Sequence, residues 1–69
     1  MDRTSVSSSN VDSIGYDSDN QTLEVEFNSG TTYQYYDVPE HVYDDLLSSS
    51  SVGSYLNQHV KNSYSYDQV

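Results

Sequence analysis

The six residues Thr22-Leu23-Glu24-Val25-Glu26-Phe27 alternate without a fault, apolar on one side and polar on the other. A period of two fits a β-strand and no helix, so Leu23, Val25 and Phe27 define a face that neighbouring strands must share and some other element must cover. Parity then fixes the next strand. If Asn28-Ser29-Gly30 is a three-residue loop, Phe27 lies opposite Thr31, Val25 opposite Tyr33 and Leu23 opposite Tyr35, and every large apolar group shares one side. A two-residue loop would set Val25 against Gln34, burying an amide and exposing two tyrosines. Glycine at the third loop position also suits the left-handed residue of such a turn.

The same test works upstream. A four-residue loop at Ser18-Asp19-Asn20-Gln21 sets Tyr16 opposite Leu23 and Ile14 opposite Val25, making Val11 to Asp17 a strand whose apolar side is shared by Asp12 only at its end. Three antiparallel strands then form one meander with a single apolar face.

Downstream, the pattern changes period. Pro39 lacks the N–H that a first helical turn leaves unpaired, and Glu40 beside it suits the positive end of a helix dipole. A helix starting at Pro39 would bury Val42, Tyr43, Leu46 and Leu47. Ser48 to Ser51 interrupt the pattern, and Ser51 is placed to cap a second helix carrying Val52, Tyr55, Leu56 and Val60 at helical spacing, with Lys61 favourable at its C-terminal end. The expected class is α+β: a three-stranded antiparallel meander followed by two helices packed on one face (β-β-β-α-α). Residues 1–8 are expected as a flexible arm, 9–62 as one domain and 63–69 as a loose tail.

Composition limits the chemistry. Sixty-nine residues without cysteine exclude disulfides, thiolate metal sites and cysteine nucleophiles. Alanine is absent and eight residues are tyrosine, so amphipathic rings must fill part of the interior. Two basic residues, Arg3 and Lys61, face eleven acidic ones, for a formal net charge of −9, the opposite of an ordinary phosphate-binding surface. So acidic a surface resembles those of proteins adapted to high salt, and equally serves plain solubility. Met1 to Asn10 is polar and no stretch reaches membrane-spanning length, so the chain is expected to be cytoplasmic, with no membrane partner.

With these segments in hand, the chain resembles the KTSC domain, a small domain found at the C-terminus of some lysyl-tRNA synthetases and also as a free-standing protein. The resemblance runs from about Ser8 to Tyr64. It is carried by Ser9-Asn10-Val11, Ile14-Gly15-Tyr16-Asp17, Leu23-Glu24-Val25-Glu26-Phe27, Tyr33-Gln34-Tyr35, Asp37-Val38-Pro39 and Gly53-Ser54-Tyr55-Leu56-Asn57. It implies no particular activity, and the synthetase setting suggests RNA. This chain departs from what RNA binding needs, because its basic residues are nearly gone.

Each chemical pattern has a plainer explanation. Tyr33, Tyr35 and Tyr36 invite comparison with base-stacking platforms, but parity turns Tyr33 and Tyr35 into the core and leaves only Tyr36 outward. Asp17-Ser18-Asp19-Asn20 begins like a calcium loop, yet the required glycine and closing glutamate are missing, and a tight turn accounts for it. His41 and His59 lie on separate helices with no paired carboxylates to make a metal site. No nucleophile elbow or phosphate loop accompanies the many serines. The reading is therefore a non-enzymatic accessory binding module with no catalytic, cofactor or metal residues and no small-molecule substrate. Its expected binding face comprises Gln34, Tyr36, Asn57 and Lys61. Its expected partner is RNA or a basic protein, the alternative being an acidic protein-interaction or structural module.

Overall fold

The computed structural model describes residues 2–69. Its elements are β1 (Arg3–Ser5), β2 (Val11–Asp17), β3 (Thr22–Phe27), β4 (Thr32–Tyr35), α1 (Glu40–Ser48), α2 (Val52–His59) and β5 (Tyr66–Gln68). The α+β class stands, but the three-strand meander is corrected: among the described residues the sheet has five strands in the order β1-β2-β3-β4-β5. Every neighbouring pair is antiparallel. The segments expected as arm and tail supply the two outer strands, β1 on β2 and β5 on β4. Backbone hydrogen bonding alone can hold such three-residue strands to an existing edge.

The central registers are those that parity demands. Leu23 faces Tyr35 and Val25 faces Tyr33, while Tyr16 faces Leu23 and Ile14 faces Val25. The Phe27 N–H reaches the Thr31 carbonyl at 2.9 Å, and Gly30 adopts φ +93, closing the loop in the left-handed region that glycine tolerates. In the other hairpin the left-handed residue is Gln21, at φ 51. Asp17 Oδ1 accepts from the Asp19 and Asn20 N–H groups and Asp17 Oδ2 from the Asn20 amide, so this carboxylate builds its own turn.

Parity fails at one place. Between Val11 and Ser13 the β2–β3 register slips by a β-bulge. Without it Asp12 would share the face of Ile14 and Tyr16. The extra residue turns Asp12 to solvent and sends Val11 into the core at 1% exposure.

The core lies between the sheet and the helix pair. Ile14, Leu23, Val25 and Tyr35 meet Val42, Leu46, Val52, Leu56 and Val60, with Val38 sealing the β4–α1 junction. Burial of each such side chain contributes roughly 1.5–3 kcal/mol before entropy is subtracted. Two of the expected helix details shift. Pro39 is the N-cap of α1, one residue before its start, and Leu47 is 37% exposed, so the buried stripe narrows to Val42 and Leu46 with Tyr43 half-buried. Ser51 caps α2 as expected, accepting the Ser54 N–H at 3.4 Å.

Candidate functional site

One row of register pairs crosses the whole sheet: Arg3 to Gly15, Gly15 to Glu24, Glu24 to Gln34 and Gln34 to Asp67. The four with side chains point away from the helices, because the chain neighbours Ile14, Val25 and Tyr35 point into the core. Gly15 has no side chain, so the Arg3 guanidinium can cross over β2 and reach β3. Its Nε donates to Glu24 Oε2 and its Nη1 to Glu26 Oε1, both at 2.7 Å. On the other side Gln34 Nε2 donates to Glu24 Oε1 at 2.9 Å. At the far edge the Tyr36 hydroxyl donates to Asp67 Oδ2 at 3.2 Å. The Gln34 amide and then the Arg3 guanidinium hold the Glu24 carboxyl below its ordinary range. Arg3, one of the chain's two basic residues, is thereby spoken for, and the open face keeps an excess of carboxylates from Asp17, Glu24, Glu26 and Asp67.

Lys61 lies on the other side of the sheet, past the end of α2, with its ammonium 5.1 Å from the centre of the Phe27 ring. Phe27 and Tyr33 meet edge to face at 5.6 Å, and Tyr33 meets Tyr66 at 5.8 Å. Beside these rings are two adjoining shallow hollows of about 330 Å³ and 250 Å³, both lined by Tyr33 and Lys61.

A third hollow of about 270 Å³ separates Ser7 to Asn10 from the first turn of α2, and Asn57 lines it. The serine-rich segment is held by Asn28, whose amide donates to the Ser9 carbonyl at 2.9 Å and whose N–H reaches the Asn10 carbonyl at 2.9 Å.

The four residues expected to form one binding face are thus divided. Gln34 and Tyr36 lie on the open sheet face, whereas Asn57 and Lys61 belong to the helix side and to separate hollows. Asn57 and Lys61 are exposed and Gln34 and Tyr36 half-buried, and the spacing of the four in the chain did not report that they lie on two different sides of the sheet. Arg3 and Gly15, which organise the open face, were missed. Their signal was the single arginine of the chain together with the lone glycine inside a strand, the place where another chain segment can pass closely.

A further constellation gathers where the end of β2 meets α1. Tyr16 and Tyr43 stack at 5.2 Å and 14°, and the Tyr16 hydroxyl donates to the Val38 carbonyl. Burial first, then the charges of Glu40, Asp17 and Asp44, push the Tyr16 hydroxyl up. His41 and His59 are exposed, and His59 rests on the Tyr55 ring at 4.5 Å. Among the described residues no group of three or more His, Asp or Glu side chains is placed to hold a metal ion, and no helix is long and apolar enough to cross a membrane.

A five-stranded antiparallel meander with a helix pair inserted before its last strand, one face covered and the other open and acidic, defines the class of small α+β domain to which this chain is similar. Residues 7–64 match the KTSC domain, and the chain belongs to that family. Its fold is similar to the crystal structure of a KTSC domain protein from Yersinia pestis, with a TM-score of 0.96 and 38% identity over 99% of this chain and 96% of that one. It is 46% identical over 56 residues to a protein of Tsukamurella paurometabola, covering 81% of this chain and 84% of that protein. It is also 34% identical over 59 residues to a lysine–tRNA ligase of Nostoc punctiforme; the match takes in 86% of this chain and 10% of the ligase. The domain therefore occurs both in proteins about its own size and as a small portion of much larger synthetases.

Proposed function

We propose that this chain is a non-catalytic accessory binding module, working in the cytoplasm, whose acidic surface meets a positively charged protein partner. The observation that carries this reading is the open sheet face, where the one arginine is already held by Glu24 and Glu26 and the carboxylates outnumber it. A surface of that sign attracts basic groups and repels phosphates over about one Debye length, roughly 10 Å at 0.1 M salt. The hollows are shallow and carry no paired acid, base and nucleophile, which supports a binding role over a catalytic one.

A second reading, RNA binding, is favoured by one specific feature, the Phe27 and Tyr33 rings with Lys61 beside them. The lysine–tRNA ligase relatives lend it context. Titration of the full chain with tRNA and with a lysine-rich peptide, each at 20 and 200 mM sodium chloride, separates the two. Peptide binding that weakens with salt, with tRNA unbound, is the expected result; tRNA held tightly at low salt reverses the order of the readings.

A further inference from the structure

The outer edge of β5 is the part of this molecule best built to take up another chain. The Val69 N–H donates to the Thr32 carbonyl at 2.8 Å, and the Tyr36 N–H donates to the Ser65 carbonyl at 2.9 Å. In an antiparallel ladder alternate residues turn their backbone groups to the same neighbour, so Ser65, Asp67 and Val69 face β4 while Tyr66 and Gln68 face outward. Among the described residues no strand pairs with those outward groups. The edge carries neither proline nor bulge, two of the devices that commonly blunt such edges. Of the three large apolar side chains exposed among the described residues, two stand here, Tyr66 at 55% and Val69 at 63%.

Side-chain parity describes the occupant. Tyr66 and Gln68 point to the helix side, where the Tyr66 ring touches those of Tyr33 and Tyr35. Asp67 points to the open face, beside the Tyr36 hydroxyl and in the acidic row. An antiparallel strand added to β5 would bond to Tyr66 and Gln68, leaving Asp67 in the non-bonded pair, where side chains approach most closely. The residue opposite Asp67 is best basic, and those opposite Tyr66 and Gln68 best apolar. A second copy of this chain is the wrong occupant: pairing β5 with itself about its central residue would set two Asp67 carboxylates face to face, and each copy carries −9.

We propose that β5 is a docking edge for an extended segment of another protein that alternates apolar and basic residues, added as a sixth strand with a basic side chain against Asp67. This rests on the reading of the chain as a module for a basic partner, and names the site and the form of that partner. The β1 edge competes poorly, since its one charged side chain, Arg3, is engaged and its three residues carry no large apolar group.

The test is a nuclear magnetic resonance titration of the ¹⁵N-labelled full chain with a blocked nine-residue peptide alternating valine and lysine, and with its valine–glutamate counterpart. The lysine peptide should move the Tyr66 and Gln68 amide signals downfield and slow their hydrogen exchange at least about tenfold, while the glutamate peptide stays unbound. Asp67→Lys should reverse the preference between the two peptides. Gln68→Pro deletes an outward N–H without removing a bond to β4, so it should abolish binding while circular dichroism stays unchanged. Lysine-peptide shifts that avoid Tyr66 and Gln68 would overturn the docking edge yet leave a basic partner standing. No salt-sensitive binding of that peptide anywhere would overturn both, and concentration-dependent dimers in sedimentation would assign the edge to a second copy instead.

Discussion

Tyr35 and Tyr36 are neighbours in the chain and opposites in the fold. Tyr35 is 2% exposed, beneath the helices, whereas Tyr36 turns to the open face and spends its hydroxyl on Asp67. Tyr35→Ala should cost about 3–5 kcal/mol, the range for truncating a large aromatic in a core, and Tyr36→Ala less than about 1 kcal/mol. Urea melts of the two variants check this, and the reverse order would mean that the β3–β4 register is wrong. The tyrosines also set an alkaline limit. Burial, then Tyr33 and Tyr66, push the Tyr35 hydroxyl up, and the Tyr16 hydroxyl rises through burial and its neighbouring carboxylates. A raised value means the folded state keeps its proton when the unfolded chain has released it. The stabilisation is therefore complete below the ordinary tyrosine value of about 10 and is lost as pH climbs through the higher folded values. Melting temperature should hold level up to about pH 9.5 and fall beyond it, with a smaller alkaline fall in Tyr16→Phe. An alkaline fall of equal size in that variant would count against Tyr16 as a contributor.

At the scale of elements, the Gly30 turn and the Pro39 junction should respond differently to substitution. Gly30 sits at φ +93 with open space where a Cβ would go, so Gly30→Val meets no neighbour and still forces a β-branched residue into the left-handed region. The expected cost is about 1–2 kcal/mol or more. Pro39 at φ −63 mainly restricts the unfolded chain, and Pro39→Ala should stay within about 1 kcal/mol. Equal shifts in melting temperature would count against the strained three-residue loop. These elements were legible beforehand because each large side chain there reports its face: moving Val25 off Tyr33 by one residue would have exposed two rings. The bulge at Asp12 was not legible, since one polar residue out of phase looks the same whether it ends a strand or bulges from it. Arg3-Thr4-Ser5 and Tyr66-Asp67-Gln68 were missed for a related reason: short outer strands pair through backbone groups, which are alike in every sequence. The candidate face failed in a third way. Gln34, Tyr36, Asn57 and Lys61 were read as one binding face, but the first two share a sheet surface that the helix layer never touches.

For the whole molecule, the governing quantity is −9 on a body 28 × 23 × 23 Å across. Few of those charges are neutralised. Arg3 engages Glu24 and Glu26, and Lys61 lies over a ring, so neither is paired with Glu40 and Asp44 of α1 or with Asp17 of the β2–β3 hairpin. Glu40 and Asp44 are four apart on α1, the spacing at which like charges cost a few tenths of a kcal/mol, and both act on Tyr16 together with Asp17. Summed over such pairs the repulsion is on the order of 1 kcal/mol, equivalent to about 4–8 °C in a domain of this size. Screening removes it, because the Debye length falls from about 30 Å at 0.01 M to about 10 Å at 0.1 M and about 3 Å at 1 M. Melting temperature should therefore climb most steeply between 0.01 and 0.1 M sodium chloride and level off toward 1 M. The double variant Glu40→Gln, Asp44→Asn should start higher and climb less, since the repulsion it removes is the repulsion salt would have screened. A melting temperature indifferent to salt in both proteins would mean that the carboxylates lie too far apart to act on one another, and the acidic surface would then bear on partners alone.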